Sequence, residues 1–281
     1  MTYSIVGADP GRGEMGMAVQ SKFLAVGAIV GWAAADAGAV ATQALADVTI
    51  GPRGLELMRG GVAPADAVET LLEGDALREQ RQFGLVAADG RSASFTGAEC
   101  FDHASSIIGP GFAAQGNILA GVGVVEGLAA GFNADPGAPL ADRLLTALDR
   151  AQAAGGDRRG QQSAALLVVR AGGGYGGNHD RMLDLRADDH ATPITELRRL
   201  LGLHRLYFDR PDPATAIPVD GALHDELVGV LDRRGLDPGS GFGRAFFAYL
   251  GWENLEERWL DENRLDPAVL AYIREHEGTD A

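Results

Sequence analysis

The chain has 281 residues, 46% of them hydrophobic and 22% charged, a balance that allows a sizeable core and makes long disordered stretches unexpected. It carries 39 acidic and 24 basic residues, for a net charge of −15. Because duplex DNA and anionic membrane surfaces are bound through clustered Lys and Arg, this composition excludes both as partners.

The cysteine content, one apolar stretch and the first residues of the chain indicate in which cellular compartment the protein is expected. Cys100 is the only cysteine, which excludes an intrachain disulfide and a thiolate metal cage. No basic residue flanks it, so we interpret it as a small buried side chain rather than a nucleophile. The stretch 23–46 is rich in Ala and Gly, and its glycines divide it into strand-length pieces rather than one membrane span. The chain opens without the segments of a secretory signal, and we expect a cytoplasmic protein.

The first 205 residues predict four strands, two helices, three strands, two helices, two strands and a final helix. Strands are indicated by β-branched and alternating apolar runs, helices by apolar periodicity after Pro52, Pro64 or Pro139, and one hairpin by Asp89-Gly90. The strands cover 2–8, 15–21, 27–34, 38–44, 83–88, 92–96, 112–115, 163–170 and 182–186, and the helices begin near 51, 64, 122, 139 and 194. Strand runs that alternate with helix pairs indicate an α+β fold, in which two stacked sheets carry helices on their outer faces as an αββα sandwich.

The remaining residues predict a linker and a small second domain. Residues 206–220 contain Pro211, Pro213 and Pro218 without apolar periodicity, which is typical of a linker. Beyond them, apolar groups with helical spacing predict a small helical module over 221–281. These groups are Leu223, Leu227, Val230 and Leu231, then Phe246, Phe247, Leu250 and Trp252, then Val269, Leu270 and Ile273.

Thr2 is the first candidate for catalysis. Removal of the initiator methionine before this small residue would leave Thr2 with a free α-amine. An α-amine has a pKa of about 8 and can act as the base for the hydroxyl of its own residue, so nucleophile and base would belong to one residue. Thr2 is also an ordinary strand former, and its position alone leaves a purely structural role open.

Four further residues are predicted to lie near Thr2. Ser21 and Lys22 end the second strand, beside the start of the first if the hairpin is regular, and a lysine there would lower the pKa of the amine and orient the hydroxyl. Lys22 is equally consistent with a solvated strand end. Gln43 and Ala44 end a neighbouring strand, where backbone N–H groups would form an oxyanion site.

Asn117, Asp157 and Arg158 are the candidates for substrate binding. Asn117 ends a strand, and Asp157 and Arg158 lie in a loop directly before one, where loops project side chains into a cavity. Each also has a structural explanation, since Asn117 can cap the following helix and a helix–strand connection is commonly polar.

Two other segments resemble ligand sites less well. Asp188, Asp189 and His190 suggest a metal, but adjacent strand residues point to opposite faces, so Asp189 and His190 cannot reach one ion without a bend. The glycine-rich segment 172–177 lacks the Lys-Ser/Thr ending of a phosphate-binding loop and precedes a strand, which predicts a hairpin loop. No motif implies a cofactor.

Several segments, in the same order along the chain, resemble a bacterial family, domain of unknown function 1028. They are residues 1–6, 23–27, 41–44, 115–117, 155–165 and 184–190, and the match spans about residues 1–205. The resemblance implies a fold similar to the N-terminal-nucleophile hydrolases, although this chain has Gly27-Ala28 where the better-known hydrolases begin their third strand with a lysine. Residues 253–258 resemble part of a peptidoglycan-binding-like module often found after this family.

Three functions are compatible with these features. The leading hypothesis is an amidohydrolase in which Thr2 attacks a small amide or peptide-like substrate. An alternative is a non-catalytic protein that binds a cell-wall fragment or a protein partner through the sandwich cleft and the helical tail. A third is a metal-dependent hydrolase centred on residues 188–190. Sheet edges and the apolar content also suggest a homo-oligomer.

Overall fold

The computed structural model describes residues 2–278. It divides into two compact units, Met1–Arg199 and Leu200–Ala281, so the division falls slightly before residue 205, where the sequence-based prediction ends the first domain. A helix covers Pro193–Phe208 and a short strand covers Ile217–Pro218. Parts of the predicted linker over 206–220 therefore have regular structure.

Two antiparallel sheets form the centre of the first unit. Their strands are β1 (Thr2–Asp9), β2 (Glu14–Ser21), β3 (Gly31–Ala34), β4 (Gly38–Ala44), β5 (Arg81–Ala87), β6 (Ser92–Thr96), β7 (Ser105–Gly109), β8 (Phe112–Asn117), β9 (Ser163–Arg170) and β10 (Arg181–Ala187). The larger sheet has the order β10-β9-β2-β1-β8-β7 and the smaller one β3-β4-β5-β6. Alternate residues of both sheets, among them Val6, Met17, Ala41 and Val86, pack together in a core between the sheets.

Helices cover the outer faces of both sheets. The helices of this part of the chain are α1 (Gly27–Val30), α2 (Ile50–Arg59), α3 (Pro64–Leu72), α4 (Gly123–Phe132), α5 (Leu140–Ala153) and α6 (Pro193–Phe208). Leu55 and Met58 of α2 and Leu71 of α3 pack against Phe83 and Leu85 on the outer face of the smaller sheet. Helices α4 and α5 pack together and against the larger sheet. The prediction of a mixed α and β fold is confirmed.

Two segments differ from the predicted elements. Residues 27–30 form the short helix α1 instead of opening a strand, because Val26 N is held by Ser163 Oγ at 3.0 Å and Ile29 N bonds to the Val26 carbonyl. The edge strand β7 was not predicted. Its pairing with β8 supplies the hydrogen bonds that its short sequence does not indicate.

The second unit has its own core. It contains α7 (Gly221–Arg233), α8 (Phe242–Trp252) and α9 (Pro267–His276), with strand β11 (Ile217–Pro218) paired to β12 (Arg264–Leu265). The three predicted apolar groups lie on these three helices. Leu227, Phe246 and Val269 contribute one residue each to the shared core. Arg258 and Asp266 form a largely buried ion pair at 2.9 Å beside it.

The packing of α4 on α5 depends on a glycine. A Cβ at Gly131 would lie 2.5 Å from the Thr146 carbonyl oxygen and 2.6 Å from Ala147 Cα. At Gly123 of the same helix, the nearest atom would be Ala154 Cβ at 3.9 Å. The backbones of the two helices therefore approach closely at Gly131 and not at Gly123.

We expect Gly131→Ala to lower the free energy of unfolding by about 1–3 kcal/mol, because the helices must move apart. Gly123→Ala is the matched control and should be neutral or stabilise by up to about 1 kcal/mol, since alanine favours a helix over glycine. Urea unfolding of both variants measures the difference. Equal free energies of unfolding would contradict this close contact.

Candidate functional site

Four polar side chains lie in a row across the larger sheet where β1 begins: Ser163, Ser21, Thr2 and Asn117. Thr2 is the register partner of Asn117 on β8, and Ser21 is the partner of Ser163 on β9. The Thr2 hydroxyl donates a hydrogen bond to Ser21 Oγ at 3.1 Å. Thr2 is 7% exposed and the other three are at most 2% exposed. The fold thus brings Ser21 and Asn117 to Thr2, as the hairpin argument predicts for Ser21.

Lys22 follows Ser21 at the end of β2, and both its backbone N–H and its ammonium bond to the loop before β9. Its N–H donates to Asp157 Oδ2 at 2.9 Å, while its ammonium donates to the Gln161 carbonyl at 3.3 Å. Among residues 2–278, no hydrogen bond joins the Lys22 ammonium to Thr2. The strand-end position was predicted from sequence, whereas the direction of the side chain depends on the facing loop.

Asp157 is a structural carboxylate in this arrangement. Its side chain has no exposed surface and pairs with the Arg159 guanidinium at 3.2 Å. It also accepts the backbone N–H of Arg159 at 2.8 Å, in addition to that of Lys22. Arg158 is exposed, and its Nη2 donates to the Asp102 carbonyl at 3.1 Å. Asp157 therefore ties the end of β2 to the 157–160 turn.

Behind the row, amide side chains join the two sheets. We call Ser4, Gln43, Gln82, Gln115 and Asn117 the amide array; all five are at most 2% exposed. Gln43 Nε2 donates to the Thr2 carbonyl at 3.2 Å and to Gln82 Oε1 at 2.8 Å. Asn117 Nδ2 donates to the same Gln82 oxygen at 2.9 Å. The backbone at Thr2 is thus held by the side chain of Gln43.

The array continues away from Thr2. Ser4 Oγ donates to Gln43 Oε1 and accepts from Gln115 Nε2, both at 2.7 Å. Sequence reasoning did not select Ser4 or Gln82, and it considered Gln115 only as part of the segment 115–117. The available signal was a polar residue at an inward position of an otherwise apolar strand, because such a residue needs a buried partner.

A cavity of about 560 Å³ opens on the Asn117 side of the row. Its lining combines polar side chains with apolar ones: Gln80, Glu99, Asn117 and Arg159, and Ala44, Leu45, Cys100, Phe101 and Ile118. Two predicted residues, Ala44 and Asn117, are in this lining. Of the residues in the 157–160 turn, it is Arg159 that lines the cavity, not Asp157 or Arg158.

Two residues with a strained backbone line this cavity. Ala44 and Ile118 have φ values of 69° and 49°, and both line the cavity. A non-glycine residue in this conformation costs about 1–3 kcal/mol and is found most often at functional sites. The strain at Ala44 turns the backbone where β4 ends, at the position predicted for an oxyanion site.

Burial raises the pKa of two side chains near the site, Cys100 and Tyr3, and so favours their neutral forms. Burial raises the pKa of the Cys100 thiol, so it stays protonated at neutral pH and is a weak nucleophile. Burial and the charges of Asp157 and Asp149 raise the pKa of the Tyr3 hydroxyl well above its usual value. Tyr3 therefore remains a donor and binds Gln152 Oε1 at 2.9 Å.

The segment proposed for a metal has other partners. Asp188 pairs with Arg186 at 2.9 Å, and Asp189 accepts from Gln162 Nε2 at 3.2 Å. His190 Nδ1 accepts the N–H of Thr192 at 3.0 Å. Over residues 2–278, no three His, Cys, Asp or Glu side chains are grouped so that they could hold a metal ion.

Comparison with known proteins assigns this chain to a family. A family model described as a family of unknown function, DUF1028, matches residues 2–197. The chain belongs to this family. The crystal structure of protein SPO2555 from Silicibacter pomeroyi, described as a DUF1028 protein, is similar at 30% identity with a TM-score of 0.65, covering 80% of this chain and 92% of that one. No curated protein matches. Among the helices of residues 2–278, none is long and apolar enough to cross a membrane.

For this DUF1028 chain, we expect Asp157→Ala to lower the free energy of unfolding by about 2–4 kcal/mol, because it removes charge-assisted hydrogen bonds from a fully buried carboxylate. Arg158→Ala is the control and should stay within about 0.5 kcal/mol of wild type, since that side chain is exposed. Chemical denaturation measures both. A mild effect of Asp157→Ala would show that the 157–160 turn is held by other contacts.

Proposed function

We propose that this protein is an amidohydrolase with a fold of the N-terminal-nucleophile type, acting on a small amide or peptide-like substrate through Thr2. The observation that carries the proposal is the Thr2 hydroxyl, held 3.1 Å from Ser21 Oγ. Thr2 itself is not in the lining of the cavity of about 560 Å³, but its register partner Asn117 is. Two facing antiparallel sheets with helices outside them also support this fold type. The mechanism requires removal of Met1, which lies outside the described residues.

The chemistry follows from an unblocked Thr2. Its α-amine takes the hydroxyl proton while Oγ1 forms a bond to the substrate carbonyl carbon. Backbone N–H groups near Gln43 and Ala44 stabilise the oxyanion. The proton passes to the leaving nitrogen as the C–N bond breaks, which leaves an ester on Thr2. Water then attacks the ester, and the acid departs as the Thr2 hydroxyl is restored.

The cavity suggests the general character of the substrate. Leu45 and Phe101 are 47% and 73% exposed, and with Ile118 they offer an apolar surface to a bound molecule. Asn117 and Arg159 place polar groups on the same wall. A substrate with an apolar part next to its amide fits this lining best.

We expect the cell-made protein to lack Met1, and Thr2→Ala to reduce amide hydrolysis by about 10³-fold or more, because nucleophile and base act as one unit. The loss of one hydrogen bond to Ser21 should cost only about 1 kcal/mol of stability. Intact mass, thermal melting and turnover of a panel of amides measure the three effects.

Thr2→Ser is the matched control, since it keeps a hydroxyl and an α-amine and should retain turnover. The proposal fails if the mature chain keeps Met1, or if Thr2→Ala hydrolyses amides as fast as wild type.

A second proposed role concerns the Leu200–Ala281 unit. Trp252 at the end of α8 is 78% exposed, the highest value among the large hydrophobic side chains of the described residues. Exposed tryptophan is enriched in binding surfaces, where its flat ring meets another apolar face. We propose that this unit binds a cell-wall fragment through Trp252.

Trp252→Ala in the full chain should weaken binding of a soluble peptidoglycan fragment about tenfold or more. Phe23→Ala, which changes an exposed aromatic residue of the first unit, is the control. Calorimetric titration measures the affinities, and equal affinities for wild type and Trp252→Ala would exclude this role.

A further inference from the structure

The orientation of one buried amide determines the rest of the array. Gln82 Nε2 lies 2.8 Å from the Gly116 carbonyl oxygen and 3.3 Å from that of Ser105. Carbonyl oxygens only accept hydrogen bonds, so the NH₂ group of Gln82 must face them. The Oε1 atom of Gln82 then points to Gln43 and Asn117, and both must present their NH₂ groups to it.

This constraint determines which atom of the Asn117 side chain does not bond to Gln82. Its Nδ2 is used on Gln82 Oε1 at 2.9 Å, so its Oδ1 is directed elsewhere. Within residues 2–278, Asn117 Oδ1 has no hydrogen-bond partner, although the residue is 2% exposed and lines the cavity. This oxygen is not among the fully buried side-chain atoms that lack a partner within residues 2–278, so it opens on the cavity, where a ligand or water can donate a hydrogen bond to it.

The position of this acceptor relative to Thr2 is also defined. Thr2 and Asn117 are register partners on adjacent antiparallel strands, so their side chains lie on the same face with Cβ atoms about 5 Å apart. A substrate carbonyl carbon bonded to Thr2 Oγ1 would place its leaving nitrogen within reach of Asn117.

We propose that Asn117 Oδ1 accepts a hydrogen bond from the N–H of a bound substrate, so that the site selects primary and secondary amides over esters and tertiary amides. Gln82 is the positioning residue that keeps this oxygen directed at the cavity. The inference rests on the proposed amidohydrolase function and specifies its substrate class.

The test uses two probes of the same shape, N-methylbenzamide and methyl benzoate, which differ in the N–H that the ester lacks. Both are titrated into full-length Thr2→Ala protein, in which the nucleophile is absent and the ester is not consumed. NMR of the Asn117 side-chain amide reports binding at this position. The amide should bind about fivefold to tenfold more tightly than the ester, as expected for one hydrogen bond in a buried site.

Asn117→Ala should bring the ratio of the two dissociation constants close to one. Gln82 Oε1 keeps its hydrogen bond from Gln43 in this variant, so no buried acceptor is left alone. Gln20→Ala is the matched control: it removes a buried amide of the same sheet that belongs neither to the amide array nor to the cavity lining, and the ratio should be unchanged.

Gln82→Met should also abolish the preference while Asn117 is still present, a result that simple destabilisation would not produce because both probes share one cavity. If this variant does not fold, Asn117→Ala still decides the matter. The inference is overturned if the probes bind equally, if neither perturbs the Asn117 amide, or if Asn117→Ala retains the preference. Failure of the hydrolase proposal is read separately, from turnover by the Thr2 variants.

Discussion

The site depends on a buried glutamine on β5. Gln82 donates to backbone carbonyls at Ser105 and Gly116 and accepts from Gln43 and Asn117, so its one side chain links both sheets. In a core between two sheets, most contacts are non-directional and tolerate small shifts. A buried amide with its donors and acceptor all in use permits one arrangement, because any shift leaves a polar group without a partner.

That arrangement extends to Thr2 and to the cavity. Gln43, held by Gln82, donates a hydrogen bond to the Thr2 carbonyl, and Asn117, also held by Gln82, forms part of the cavity wall. At the opposite end of the array, Gln115 Oε1 has no hydrogen-bond partner among residues 2–278. It lies where a side chain at Gly84 would be. Glycine at position 84 is therefore required for Gln115 to fit between the sheets.

A second set of contacts holds the loops around the row. Asp157, fully buried, receives backbone N–H groups from Lys22 and Arg159, and so joins the end of β2 to the turn before β9. Ala44 and Ile118 hold strained conformations on the cavity wall. Strain of this kind persists only where the surrounding contacts impose it, and the amide array and the Asp157 contacts are the rigid surroundings here.

Much of this protein was determined by local sequence. β-Branched and alternating apolar runs specified β1, β2 and β9, and Asp89-Gly90 specified the β5–β6 hairpin. The register of a regular β1–β2 hairpin placed Ser21 beside Thr2. The tertiary structure decided the rest: the short helix at 27–30 follows from the contact of Val26 with Ser163, and strand β7 from pairing with β8. The tertiary structure also places Arg159, and not Arg158, in the cavity lining. It orients the Asn117 side chain through the hydrogen bond to Gln82. Hydrogen bonds between residues tens of positions apart depend on distance and direction in space, which a one-dimensional pattern of residue types does not contain.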